Sequence, residues 1–205
     1  GAAYQSVYLN PNLDAPIDPQ WARQTEQYWQ LNPQGLIPAL LIQNPKQADW
    51  LITQSGAILE FLEEYYPERP LLPADLRLRA EIRSFAQVLI ADTQPLNVMR
   101  VYQHLQQTMG LEYAARREFY EHWAHMGFAA LENILERRDK KTAFCFGEKP
   151  SLADVCLAPQ VYNATMNRLE LGLYPNIRQI YNSCLTLSAF QAAQPDTQRD
   201  WQTDI

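Results

Sequence analysis

The sequence predicts a short α/β half followed by an all-helical half, and three observations carry that reading. Up to residue 66 the apolar residues fall in short runs of mixed period, strand-like in some places and helical in others. Beyond residue 75 they recur at helical spacing almost throughout. Between the two, residues 67–75 hold Pro67, Pro70 and Pro73, which stiffen a connection and forbid regular structure. The expected organisation is therefore an N-terminal domain over 1–66, a linker over 67–75 and a helical domain over 76–205.

The elements follow in order. Residues 4–9 read as a strand, 19–31 as a helix entered through Pro19, and 39–43 and 50–53 as two further strands. From Ser55 a helix carries Ile58, Leu59, Leu62 and Tyr66 at helical spacing until Pro67 stops it. Ile82, Phe85, Leu89 and Leu96 lie on one stripe of a long helix that Pro95 is expected to bend. Phe119, Trp123, Met126, Ala130 and Ile134 share one face of the next helix, and that face is expected to be core. Residues 139–150 read as a loop. Ser151-Leu152-Ala153-Asp154 then has the form of a capping box, and Tyr174-Pro175-Asn176 opens a short helix through Tyr181. The tail beyond Ala193 is expected to be loosely held.

Composition narrows the class. With 205 residues, 47% of them apolar and 20% charged, the chain can bury a core. Its longest apolar stretch, 36–42, is interrupted by Pro38 and falls far short of the roughly 20 residues a bilayer requires. A net charge of -6 disfavours nucleic acid and anionic membranes as partners. The basic doublets Arg116-Arg117, Arg137-Arg138 and Lys140-Lys141 read as solvated helix faces. Cys145, Cys156 and Cys184 are far apart and in no C-x-x-C pattern, as in a reducing compartment. His104, His122 and His125 form no metal-ligand pattern, and residues 1–10 carry no basic start or apolar signal core, so a cytoplasmic protein without a metal is expected.

Several segments together carry a resemblance. They are Asn32-Pro33-Gln34-Gly35-Leu36-Ile37-Pro38-Ala39-Leu40; Thr53-Gln54-Ser55; Ala91-Asp92-Thr93-Gln94-Pro95-Leu96-Asn97 running on to Arg100-Val101; Phe144-Cys145-Phe146-Gly147; and Ala189-Phe190-Gln191-Ala192-Ala193. Over nearly the whole chain the sequence is similar to the glutathione transferase superfamily, and within it to the zeta class. The resemblance implies a thioredoxin-like first domain that binds glutathione and a helical second domain that faces the substrate.

It further implies a cis Ile37–Pro38 peptide whose turn offers the Ile37 backbone to the cysteinyl part of glutathione. Gln54 and Ser55 would hold the γ-glutamyl end at a helix N-terminus, and Gln94 would add to the cofactor site. Asn97, Arg100 and Arg168 are the substrate-side candidates. Taken alone, Ser55 reads as an N-cap, and Gln94 and Asn97 as side chains satisfying the backbone that Pro95 frees. The implied activity is a glutathione-dependent cis–trans isomerase or transferase acting on maleylacetoacetate-like dicarboxylates of tyrosine and phenylalanine catabolism, working as a homodimer. The alternatives are a transferase acting on other small electrophiles and a non-catalytic partner protein of the same fold.

The sequence departs from the zeta pattern twice. The Ser-Ser-x turn that holds the class's catalytic group, between the first strand and first helix, does not occur, so no catalytic residue is assigned and that strand and helix, about 25 residues, are expected to be missing. Loss of an interior strand would leave unpaired amides and carbonyls on its neighbours, which favours an incompletely represented chain. Second, Met166 stands where relatives can have an arginine for a substrate carboxylate, a role for which Arg168 or Arg100 is the candidate substitute. Cys145 and Cys156, in segments expected to be packed, are not read as nucleophiles.

Overall fold

The computed structural model describes residues 4–5, 26–43 and 48–198, so the strand expected at 4–9 and the first part of the helix expected at 19–31 lie outside the described residues. The chain divides into two compact units, 1–66 with 198–205, and 67–197.

In the first unit residues 26–31 are helical, and a turn leads from them into strand β1 (Ala39–Ile42). Strand β2 (Trp50–Thr53) pairs with it antiparallel, with Ala39 opposite Thr53 and Ile42 opposite Trp50. Helix α1 (Ser55–Tyr65) follows after a single residue. Trp50 meets Phe61 edge-on at 5.3 Å between ring centroids, and Phe61 stacks on Tyr65 at the same distance. These contacts dock α1 on β2 and fix where the helix begins.

The turn before β1 is organised by Asn32, a polar residue only 1% exposed. Its Nδ2 donates to the Leu36 carbonyl at 2.7 Å, its Oδ1 accepts from the Gln34 amide at 3.1 Å, and the Tyr28 hydroxyl also donates to Leu36 O. Gly35 adopts φ +64, and a Cβ there would come within 2.7 Å of the Trp29 ring, so backbone freedom and space both call for glycine. The Ile37–Pro38 peptide that this turn presents is cis, as expected.

The second unit opens with residues 67–75, which have no regular structure but are anchored: Leu72 is buried and the Leu71 carbonyl accepts from the Leu152 amide at 3.0 Å. Helices α2 (Leu76–Gln87), α3 (Met99–Gln107), α4 (Tyr113–Glu136), α5 (Leu152–Met166), α6 (Pro175–Leu185) and α7 (Ser188–Ala192) follow. Their core includes Ile82, Phe85, Leu89, Leu131, Leu157, Val161, Ile177 and Ile180, each at most 1% exposed. α6 runs four residues past the expected Tyr181. No described helix is long and apolar enough to cross a membrane.

Three expectations are corrected. The single long helix bent at Pro95 is instead α2, a π-helix over Val88–Thr93, a 3-10 turn over Gln94–Leu96, and α3. The loosening starts upstream of the proline because the Thr93 hydroxyl donates to the Val88 carbonyl at 2.8 Å, and Thr93 packs against Gly127, where a Cβ would lie 2.1 Å from Thr93 Oγ1. On α4 the expected core face is not the buried one: Tyr120, Ala124, Gly127, Phe128, Leu131 and Leu135 turn inward, while Met126 is 58% and Ile134 39% exposed. The basic doublets are not simply solvated. Arg138 is half-buried and donates to the carbonyls of Leu135, Phe144 and Cys145 at 2.8–2.9 Å, tying down the loop over 139–150. Arg116 lies with its guanidinium 5.9 Å from the Tyr113 ring centre.

Candidate functional site

The first unit places Ile37, Gln54 and Ser55 on consecutive structural features: the cis-proline turn, the end of β2 and the start of α1. The N-cap of α1 is Gln54, so Ser55 is the first helical residue and its reading as a cap is corrected. Gln54 takes φ 70, a left-handed conformation that costs free energy in a residue with a Cβ. It is held there because its carbonyl accepts from Ile58 N at 3.0 Å and its Nε2 donates to Gln34 Oε1 at 2.6 Å.

The first intrahelical bond of α1 therefore comes from Ile58, and the amides of Ser55, Gly56 and Ala57 have no partner among the described residues. No side chain caps this end, and its first turn holds no acidic residue. The exposed Ser55 hydroxyl and the Ile37 backbone have no hydrogen-bond partner among the described residues. Free amides, partial positive charge and one hydroxyl donor suit a carboxylate, while a backbone at Ile37 without a partner among the described residues suits a peptide-like ligand. These residues fit glutathione, whose γ-glutamyl end carries a carboxylate and whose middle carries a peptide backbone.

The second unit gathers its candidates where helix geometry is irregular. Gln94, just after the π-helix, is exposed and its side chain is free of partners among the described residues. Asn97 closes the 3-10 turn by donating its amide to Gln94 O at 2.9 Å, and its Oδ1 accepts from the Tyr102 hydroxyl at 3.2 Å. Neither side chain serves the backbone freed by Pro95, so that reading is corrected as well. Arg100, in the first turn of α3, is exposed and unpaired among the described residues.

Arg168 follows α5 in a left-handed conformation, φ 54. Its amide donates to Thr165 O and that of Leu169 to Ala164 O, both at 2.9 Å, the helix-ending pattern that usually holds glycine at this position. Arg168 is exposed, and Met166 at the end of α5 is 53% exposed.

A tyrosine pair links the two ends of this set, and it went unseen in the sequence. Tyr102 and Tyr120 lie 6.4 Å apart between ring centroids, and Asn167, the neighbour of Arg168, lies close enough to Tyr120 to lower its pKa. Asn167 in turn donates to Asn163 Oδ1 at 2.6 Å. Burial pushes the Tyr102 hydroxyl well up, with Tyr120 adding to the effect; burial pushes Tyr120 to about 12 against the lowering influence of Asn167. Both remain O–H donors at neutral pH. The signal that could have found Tyr102 is its spacing of five from Asn97 across the start of α3, the positions that flank a helix entry as a staple.

The three cysteines are buried and carry raised pKa values, Cys156 to about 11 and Cys184 to about 12, in each case first by burial and then by Asp154. Cys145 is pushed up by the same causes. Such thiols are poor nucleophiles.

Known proteins share the fold. Residues 114–183 match the family model of the glutathione S-transferase C-terminal domain. The maleylpyruvate isomerase of Ralstonia sp. is 39% identical over 170 residues, 83% of this chain and 78% of that protein. The holo structure of a bacterial zeta-class maleylpyruvate isomerase superposes with a TM-score of 0.82 at 36% identity, covering 89% of this chain and 84% of the other. A maleylacetoacetate isomerase from Methylobacterium extorquens AM1, solved with malonate and GSH bound, gives the same TM-score at 34% identity, over 96% of this chain and 86% of that one. With relatives this similar over this much of their length, the chain belongs to the zeta class of the glutathione transferase superfamily.

Proposed function

We propose that this enzyme is a glutathione-dependent cis–trans isomerase of maleyl-type dicarboxylates, of the kind its relatives named for maleylpyruvate and maleylacetoacetate use. The observation that carries the reading is the open N-terminus of α1 beside the cis Ile37–Pro38 turn, with free amides at Ser55, Gly56 and Ala57. When bound there, glutathione would supply a thiolate for reversible addition to the substrate double bond. The chain's own residues bind and orient. Ser55, the α1 amides and Gln54 hold the γ-glutamyl carboxylate, Ile37 pairs with the peptide backbone, and Gln94 adds a donor.

Asn97, Arg100 and Arg168 present donors to the substrate's carboxylates. Arg168 takes over the role that Met166 lacks, a reading favoured by its exposed side chain, which has no partner among the described residues, and its left-handed backbone. We further assign the enzyme to the cytoplasm, on its three free thiols, and to a two-fold homodimer, on the exposed apolar face of α4 around Met126 and Ile134.

The test follows the loss of the cis substrate spectroscopically. Maleylpyruvate or maleylacetoacetate should isomerise in the presence of enzyme and glutathione and remain unchanged when glutathione is left out. Turnover that is independent of glutathione, or conjugation of simple aryl halides with no isomerisation, would favour a different member of the superfamily.

A further inference from the structure

We propose that Tyr102 is a positioning residue that makes Asn97 a pure hydrogen-bond donor and thereby sets a preference for substrates bearing a carboxylate; the proposal rests on the isomerase reading above. A carboxamide can offer a carboxylate either its NH2 group, which attracts, or its oxygen, which repels, and the two differ by a half-turn of the side chain. The Asn97 backbone is fixed by its bond to Gln94 O, so the choice falls to the side chain's own partner. That partner is the Tyr102 hydroxyl, 3.2 Å from Oδ1. With the oxygen occupied, Nδ2 keeps two N–H groups that have no acceptor among the described residues.

The surroundings make this orientation useful. Asn97 immediately precedes the N-cap of α3, Val98, whose carbonyl accepts from Val101 N and Tyr102 N, so the amides of Met99 and Arg100 also have no partner among the described residues. The Arg100 side chain is exposed and unpaired among the described residues. The corner thus gathers Nδ2 of Asn97, two helix-start amides and a guanidinium, all donors. The acceptor on the same side chain, Asn97 Oδ1, is taken by Tyr102. Tyr102 is itself held in place, half-buried and 6.4 Å from the Tyr120 ring.

The test uses the full chain with glutathione and two substrates of the same chemistry, the dicarboxylate maleylpyruvate and the neutral diester dimethyl maleate. Tyr102→Phe should raise KM for maleylpyruvate about tenfold, leave kcat and the glutathione KM within about twofold, and leave kcat/KM for dimethyl maleate unchanged. Because Tyr102 acts through Asn97, Tyr102→Phe should add nothing further in an Asn97→Ala background. Parallel losses on both substrates, or additive losses in the double variant, would overturn the proposal. Should Tyr102→Phe fail to fold, Asn97→Asp leaves the Tyr102 bond in place and exchanges the donors for a second acceptor; an unchanged maleylpyruvate KM in that variant also overturns it. Wild-type protein that isomerises neither substrate would instead sink the isomerase reading.

Discussion

Three helix N-termini in this molecule are treated in two ways. Two of them, the starts of α5 and α6 in the second unit, are closed. Asp154, fully buried, accepts from the Ser151 amide, the Ser151 hydroxyl and the Cys145 amide, all at 2.8 Å, completing the capping box that starts α5. The start of α6 is closed from a distance by Glu132 on α4, which accepts from Asn176 N and Nδ2 and from Ile177 N at 2.6–3.0 Å. In the first unit α1 begins with no cap bond and no acid, on a residue in a left-handed conformation. A carboxylate in the protein serves the first two ends, and the third is the end proposed above to receive a carboxylate of glutathione. The contrast separates helix ends that hold the fold together from one proposed to bind, and mutations should separate them too.

The largest effect is expected at a closed end. Asp154→Ala leaves buried amides at Ser151 and Cys145 without an acceptor and should lower unfolding free energy by about 3 kcal/mol or more in a denaturant melt. Glutathione affinity of the folded fraction should be unchanged, and a specific loss of affinity would blur the distinction.

An intermediate effect of opposite sign is expected at Arg168. Arg168→Gly relieves the left-handed backbone and should stabilise the protein by about 1 kcal/mol, while KM for the dicarboxylate rises. Gain of stability without loss of substrate affinity would show that the arginine only ends the helix.

The smallest effect concerns pH. Cys156 and Cys184 have folded-state pKa values raised above 9.0, so the unfolded chain loses these protons first as pH climbs. Their contribution is whole below pH 9 and declines above it. Urea midpoints should fall from about pH 9 upward, and less steeply in Cys184→Ala. A midpoint flat through that range would mean that the thiols are not sealed off.

How far the sequence carried the account varies by region. Strand β2 and the start of α1 were legible because a short apolar run, a polar turn and a helical period follow one another within a few residues. The cis-proline turn was legible only through its motif, since the interactions that organise it converge on Asn32 from Tyr28, Gln34 and Leu36. α4 was misread because both its faces are apolar: Phe119, Trp123, Met126, Ala130 and Ile134 match the helical period as well as the buried set does, and period alone does not choose between them. The π-helix was invisible because it depends on Thr93 meeting Gly127 on another helix, a contact 34 positions away in sequence. Tyr102 was passed over for a related reason. Its bond to Asn97 forms only because the helix restarts between them.

The central claim, that the open end of α1 receives the γ-glutamyl carboxylate, is tested most directly by calorimetric titration of glutathione into wild type and Ser55→Ala. Ser55 is not the cap and its hydroxyl has no partner among the described residues, so its loss should scarcely change a denaturant melt. The account predicts that affinity nonetheless falls by about 1.5–3 kcal/mol, roughly ten- to a hundredfold. Unchanged affinity would contradict it and place the carboxylate elsewhere.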